Sequence, residues 1–165
     1  MKKNKIVSLF EYRKLPQLIG KLDGVDKKGL YNKLIEVQRA IYDLDAYLES
    51  RWTLQDRILK DLWNNILSAV KECGYDDKGA ENITKSIRRY QLHEMQLRDN
   101  KLPLRLQAEY YYFYKSCDIR LMRQIIYDQS LELRKKHSVT DWRYYDLVTE
   151  VNDDVTDIKL TIFCF

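Results

Sequence analysis

Between Leu30 and Leu48, six apolar residues (Leu30, Leu34, Val37, Ile41, Leu44 and Leu48) alternate spacings of four and three. Only a helix gathers such positions on one side; a strand would scatter them over both of its faces. A stripe of that length needs cover, so the chain must supply further helices to pack against it. Leu59, Leu62, Ile66, Ala69 and Cys73 form a second apolar face that stops at Gly74, and Ala80, Ile83, Ile87 and Tyr90 form a third. Tyr145, Val148, Val151, Val155, Ile158 and Ile162 make a last seam. Leu34, Ile41, Leu48, Leu62, Ile66, Val148, Val151 and Val155 are therefore expected in the core.

Five glycines and two prolines are few for 165 residues, and they fall at the edges of these stretches. Ser8-Leu9-Phe10-Glu11 has the form of a capping box, opening a first short helix that Pro16 would kink and Asp23-Gly24 would end. A second helix runs from about Lys27 to Arg51. A third starts near Thr53-Leu54-Gln55-Asp56, a fourth is capped by Asp76-Asp77 and ends at Asp99-Asn100, and Pro103 suits the first turn of a fifth. That fifth helix would reach His137, longer than globular helices usually run, with an irregularity at Ser116-Cys117-Asp118. Ser138-Val139-Thr140-Asp141 starts the sixth. The fold class is all-α, a single-domain antiparallel bundle of about six helices over residues 1–165.

Composition narrows the function classes. No apolar run approaches the roughly 20 residues that span a bilayer, and the stretch Ile6–Phe10 is too short for a secretory signal. Cys73, Cys117 and Cys164 are odd in number and widely spaced, with only His93 and His137 beside them, so neither a disulfide framework nor a zinc finger is expected. A cytoplasmic location fits. The net charge of +4 is mild, with bases and acids interleaved, and no nucleic-acid partner is expected. Phosphate-bearing small molecules and self-association stay open.

The residues that could carry chemistry begin with a line of acids. Asp146, Glu150, Asp153 and Asp157, spaced by four, three and four, lie along one side of the last helix. Like charges at that spacing repel, so the line faces either open solvent or cations that reward it. Asp153-Asp154-Val155-Thr156-Asp157 also reads as DDxxD, able to hold a hard divalent ion through oxygen. On the second helix Asp45 and Glu49 form a DxxxE pair beside Asp43. Lys115, Arg120 and Arg123 suit diphosphate oxygens through charge-assisted bonds. In the run Tyr110-Tyr111-Tyr112-Phe113-Tyr114, Tyr111 and Tyr114 are candidates to line an apolar pocket, with core packing as the alternative.

In its two acidic motifs the chain resembles the class I isoprenoid synthases, which include terpene cyclases, prenyltransferases, and squalene and phytoene synthases. The resemblance runs from Asp43 to Lys159. Asn152-Asp153-Asp154-Val155-Thr156 is similar to the start of the second metal motif of terpene cyclases, although Leu160 stands where that motif has Glu. The resemblance implies part of a terpenoid-synthase fold in isoprenoid biosynthesis, of transferase or lyase type, that binds Mg²⁺ and a prenyl diphosphate. It puts Asp45, Glu49, Asp153, Asp154 and Asp157 on the metal, Lys115, Arg120 and Arg123 on the diphosphate, and Tyr111 and Tyr114 in the prenyl pocket.

Two alternatives stand beside it. One is a non-catalytic helical-bundle interaction module, with the acids in solvent or against a basic partner and the aromatic run at an interface. The other rests on Arg88-Arg89-Tyr90-Gln91-Leu92-His93, which resembles the motif of HEPN-type helical ribonucleases, where Arg and His act on the RNA phosphate.

Overall fold

A computed structural model describes residues 2–51, 53–98, 112 and 114–163, with side-chain positions at all of these except 2, 94, 97, 98 and 157–163. The elements are α1 (Lys2–Tyr12), α2 (Leu15–Gly20), α3 (Lys27–Glu49), α4 (Asp56–Glu72), α5 (Asp77–Ile83), α6 (Lys85–Arg98), α7 (Cys117–Asp128), α8 (Leu131–Lys136), a 3-10 turn (Val139–Trp142) and α9 (Arg143–Phe163). Among the described residues there is no strand, and the all-α antiparallel bundle is as expected. None of the described helices is long and apolar enough to cross a membrane.

Helix starts follow local chemistry. The Asp26 carboxylate accepts from the Gly29 amide at 2.9 Å and Asp76 accepts from the Gly79 amide at 2.7 Å, each satisfying a first-turn donor that the helix itself leaves open. Ser138 and Asp141 form a reciprocal capping box at the 3-10 turn that leads into α9. Gly24 and Gly74 take positive φ (69° and 105°) in the turns after α2 and α4, a conformation side chains resist.

Buried side chains form one contiguous cluster fed by α1 to α7. Its spine is the α3 seam, where Leu34, Val37 and Leu44 are fully buried and Leu30, Ile41 and Leu48 nearly so. Each such side chain contributes about 1.5–3 kcal/mol by leaving water. α3 packs most extensively on α4, α1 and α2 also lie on α3, and α7 meets α2, α3 and α6. Apart from the turn that precedes it, α9 has little close backbone approach to any other of the described elements.

Several boundaries differ from expectation. α1 starts at Lys2 rather than Ser8, and the break before α2 is at Lys14, which takes a left-handed φ of 62°. Pro16 sits in the first turn of α2, where its missing amide costs nothing, instead of kinking a longer helix. The fourth stretch divides at Thr84, whose hydroxyl bonds the Ala80 carbonyl at 2.8 Å. The long fifth stretch ends at Asp128, and Ser130 caps α8 separately by accepting from the Leu133 amide; residues 99–111 and 113, Tyr111 among them, lie outside the described residues.

The largest difference concerns the last helix. Leu34, Ile41, Leu48 and Ile66 are buried and Leu62 is partly so, but Val148 is 66% exposed, Val155 44% and Val151 38%. Tyr144, on the same side, is 72% exposed. α9 turns its acids inward and its valines outward, because the bundle presents arginines to it.

Candidate functional site

Arg13 and Arg123 are among the most deeply buried large side chains of the protein, 2% and 0% exposed. Both sit at core positions of otherwise apolar helical faces. Arg13 follows Ile6 and Phe10 by the same four-then-three step, and Arg123 lies four after Ile119 and three before Ile126. A buried guanidinium needs carboxylates, and α9 supplies them. Arg13 bonds Glu150 at 2.6 Å and Asp146 at 3.4 Å, and also donates to the Thr149 hydroxyl. Arg123 bonds the other oxygen of Asp146 at 2.5 Å, donates to the Arg13 carbonyl at 3.4 Å and lies 4.4 Å from the Trp142 ring centroid. Asp146 therefore bridges the two arginines.

Further along α9, Asp153 stands 3.7 Å from Arg13. Asp154 is held by Lys115 and by the Tyr112 hydroxyl at 2.9 Å, and the Ser116 hydroxyl donates to Glu150 at 3.0 Å. Among its described members, Asp146, Glu150 and Asp153, the acidic line is thus engaged by cations rather than bare. Burial raises the pKa of Glu150 despite the opposing charge of Arg13, and burial likewise raises that of Asp118, against the hydrogen bond from Gln38 at 2.8 Å. For Asp154 burial pulls upward, but the bonds from Lys115 and Tyr112 outweigh it and leave its pKa below the ordinary value.

Across from α9, Asp45 and Glu49 of α3 face the same space. They line, with Glu150, Asp153, Asp154 and Asp118, a cleft of about 640 Å³. Lys5, Arg13 and Lys115 also line it, with Tyr12, Tyr42 and Tyr90. Asp45 accepts from Gln91 at 3.3 Å, and burial with the charges of Asp118 and Asp45 pushes the Tyr42 hydroxyl far above its usual pKa. The two acidic helices identified from sequence do share one cleft.

The other nominated residues divide. Lys115 lies in that cleft, tied to Asp154 and 3.8 Å from Glu150. Arg123 is locked beneath it on Asp146. Arg120 and Tyr114 line a different cleft with Arg88, Arg89 and His93, so Arg88 and His93 of the short Arg–His motif also meet there. Among the described residues no three His, Cys, Asp or Glu side chains converge as a metal ligand set, and the Asp157 side chain lies outside those described. Asp153 and Asp154 are drawn to Arg13 and Lys115, cations that a bound Mg²⁺ would have to displace.

Sequence reasoning missed Arg13, Thr149, Asp118, Ser116 and Tyr112. The signal for the first was present, a cation occupying a seam position of an apolar helix. No protein-family model matches the chain, and no curated protein or solved structure matches it either.

Proposed function

We propose that the chain is a non-catalytic helical interaction module that docks a second copy of itself through the outward face of α9. What supports this reading is the inverted amphipathy of that helix. Its inner acids are engaged by Arg13, Arg123 and Lys115, while Tyr144, Val148, Val151 and Val155 stand exposed. An exposed apolar stripe of this kind marks a contact surface. Its spacing of four, three and four is that of a helix–helix seam, which Ile158 and Ile162 continue in sequence. A second copy brings a matching seam, each residue meeting its counterpart about a two-fold axis. In sedimentation equilibrium the wild type should dimerise with rising concentration, and Val148→Asp combined with Val151→Asp should be a folded monomer. A wild type that stays monomeric at its highest soluble concentration rejects the reading.

One observation favours a second reading, a Mg²⁺-dependent prenyl-diphosphate-binding protein similar to class I isoprenoid synthases. Asp45 and Glu49 border the same cleft as Asp153 and Asp154. If Mg²⁺ and diphosphate bind there together, the fold gains about 2.7 kcal/mol at a hundredfold excess over Kd. Thermal melts with each and with both test it. A melting point unmoved by the combination, or raised equally in Asp153→Ala, rejects it.

A further inference from the structure

The seat that holds α9 is assembled from parts of the chain far apart in sequence. Arg13 follows α1, Lys115 precedes α7 and Arg123 lies within α7, and together they hold Asp146, Glu150 and Asp154. At the near end Trp142 stacks on Arg123 and bonds the Tyr127 hydroxyl, while the Tyr145 hydroxyl donates to the Tyr12 carbonyl. Among the described residues these contacts are made by side-chain tips, and the α9 backbone keeps its distance from the other described helices. The link to this unit is slight. His137 and Ser138, both exposed, run extended between α8 and the 3-10 turn, with φ and ψ of −130° and 145° and of −116° and 150°. Two extended residues reach about 7 Å. A change of torsion in this pair redirects everything from Val139 onward while α8 stays where it is.

Each chain therefore carries one seat and one helix that match in spacing, sign and depth, and a second copy offers the same pair. A vacant seat is costly, because Arg13 and Arg123 would stand in the bundle without these carboxylates. A seat filled from the other copy restores each contact unchanged, and exchange of an identical element is for this reason a low-cost route to a dimer. Within one chain the short link keeps the local concentration of α9 at its own seat on the order of millimolar. The closed monomer thus prevails until strain in the link tips the balance.

We propose that α9, with the 3-10 turn before it, is an exchangeable element: the seat of Arg13, Lys115 and Arg123 accepts the α9 of a second copy, and the exchange is reciprocal. This contact uses the side of α9 opposite the outward valines and does not depend on them, so its tests are run in a full chain carrying Val148→Asp and Val151→Asp, where the outward seam is broken. In that chain, deletion of His137 and Ser138 keeps every cation of the seat and every acid of α9 but shortens the reach back. Sedimentation equilibrium should then give twice the monomer mass, with Trp142 fluorescence as in the undeleted chain because Trp142 again lies on an Arg123. A monomer overturns the inference, and so does a dimer whose Trp142 emission has moved to that of an indole in water. A second test reverses the charges. One chain carries Arg13→Glu and Arg123→Glu, the other Asp146→Arg and Glu150→Arg, so neither can seat its own helix whereas exchange matches both. Each alone should be helical by circular dichroism and monomeric, and an equimolar mixture should form a heterodimer. Helical chains that stay apart on mixing overturn the inference; should either chain lose its helicity, the deletion decides.

Discussion

α3 and α9 are the two longest described helices, and they are held to the rest of the protein by different physics. α3 buries a continuous apolar seam and lies close along α4. Among the described side chains, α9 is held mainly by long polar groups reaching from Arg13, Lys115 and Arg123. An apolar seam tolerates substitution in proportion to the area and cavity involved. A buried charge seam does not, because removing one partner strands the other in a medium that solvates it poorly. The same spacing of four and three therefore yields a graded response in one helix and an all-or-none one in the other.

The sharpest way to break that comparison is at Arg123. Arg123→Met leaves Asp146 with Arg13 at 3.4 Å as its remaining ion-pair partner among the described residues, and urea denaturation should register a loss of about 3–5 kcal/mol. Adding Asp146→Leu to it should recover most of that loss. Additive losses would mean that no buried charge pair is at work. Next comes Leu44→Ala in the α3 seam, where a fully buried leucine should cost about 2–5 kcal/mol with α9 still docked. Docking can be followed by fluorescence of Trp142, which stacks on Arg123 and bonds the Tyr127 hydroxyl at 2.8 Å.

Smaller effects sharpen the contrast at the entry to α9 and in the cleft. Ser138→Ala removes the capping box and should cost about 1 kcal/mol, read as a shift of the urea midpoint at constant slope. The smallest is a pH effect at Asp118. Burial raises its pKa in the folded chain, so the native state holds this proton more firmly than the unfolded one. Its contribution to stability is then full below the unfolded value and declines as pH rises through the folded one. Asp118→Asn should flatten that part of the pH–stability profile and melt slightly higher at neutral pH. A variant that melts lower there would show that the Gln38 bond, not burial, governs the site.

Much of the fold was legible because helix periodicity and caps are local. The α3 seam, the caps at Asp76 and Ser138 and the stop at Gly74 all depend on residues within a few positions of one another. The misreadings share a cause. The last helix carries two stripes, acidic (Asp146, Glu150, Asp153) and apolar (Val148, Val151, Val155), and the apolar one was assigned to the core by the rule that works for α3. The shared cleft was readable from Asp45, Glu49 and Asp153, but the partners that occupy its acids come from elsewhere in the chain. Tyr114 and Arg120, candidates for the prenyl pocket and the diphosphate, line the α6 cleft rather than the acidic one, and nothing near them in sequence says which cleft they face.

The sequence by itself determined that the chain is helical, where α3, α4 and α5 start, and which residues of α3 are buried, since each is set by backbone geometry and near-neighbour chemistry. Tertiary structure alone decided which face of α9 turns inward. Arg13 reaches Asp146 across 133 positions of chain and Arg123 across 23. Once α1 and α7 had buried two guanidinium groups, leaving those charges without carboxylates would cost more than leaving three valines in water.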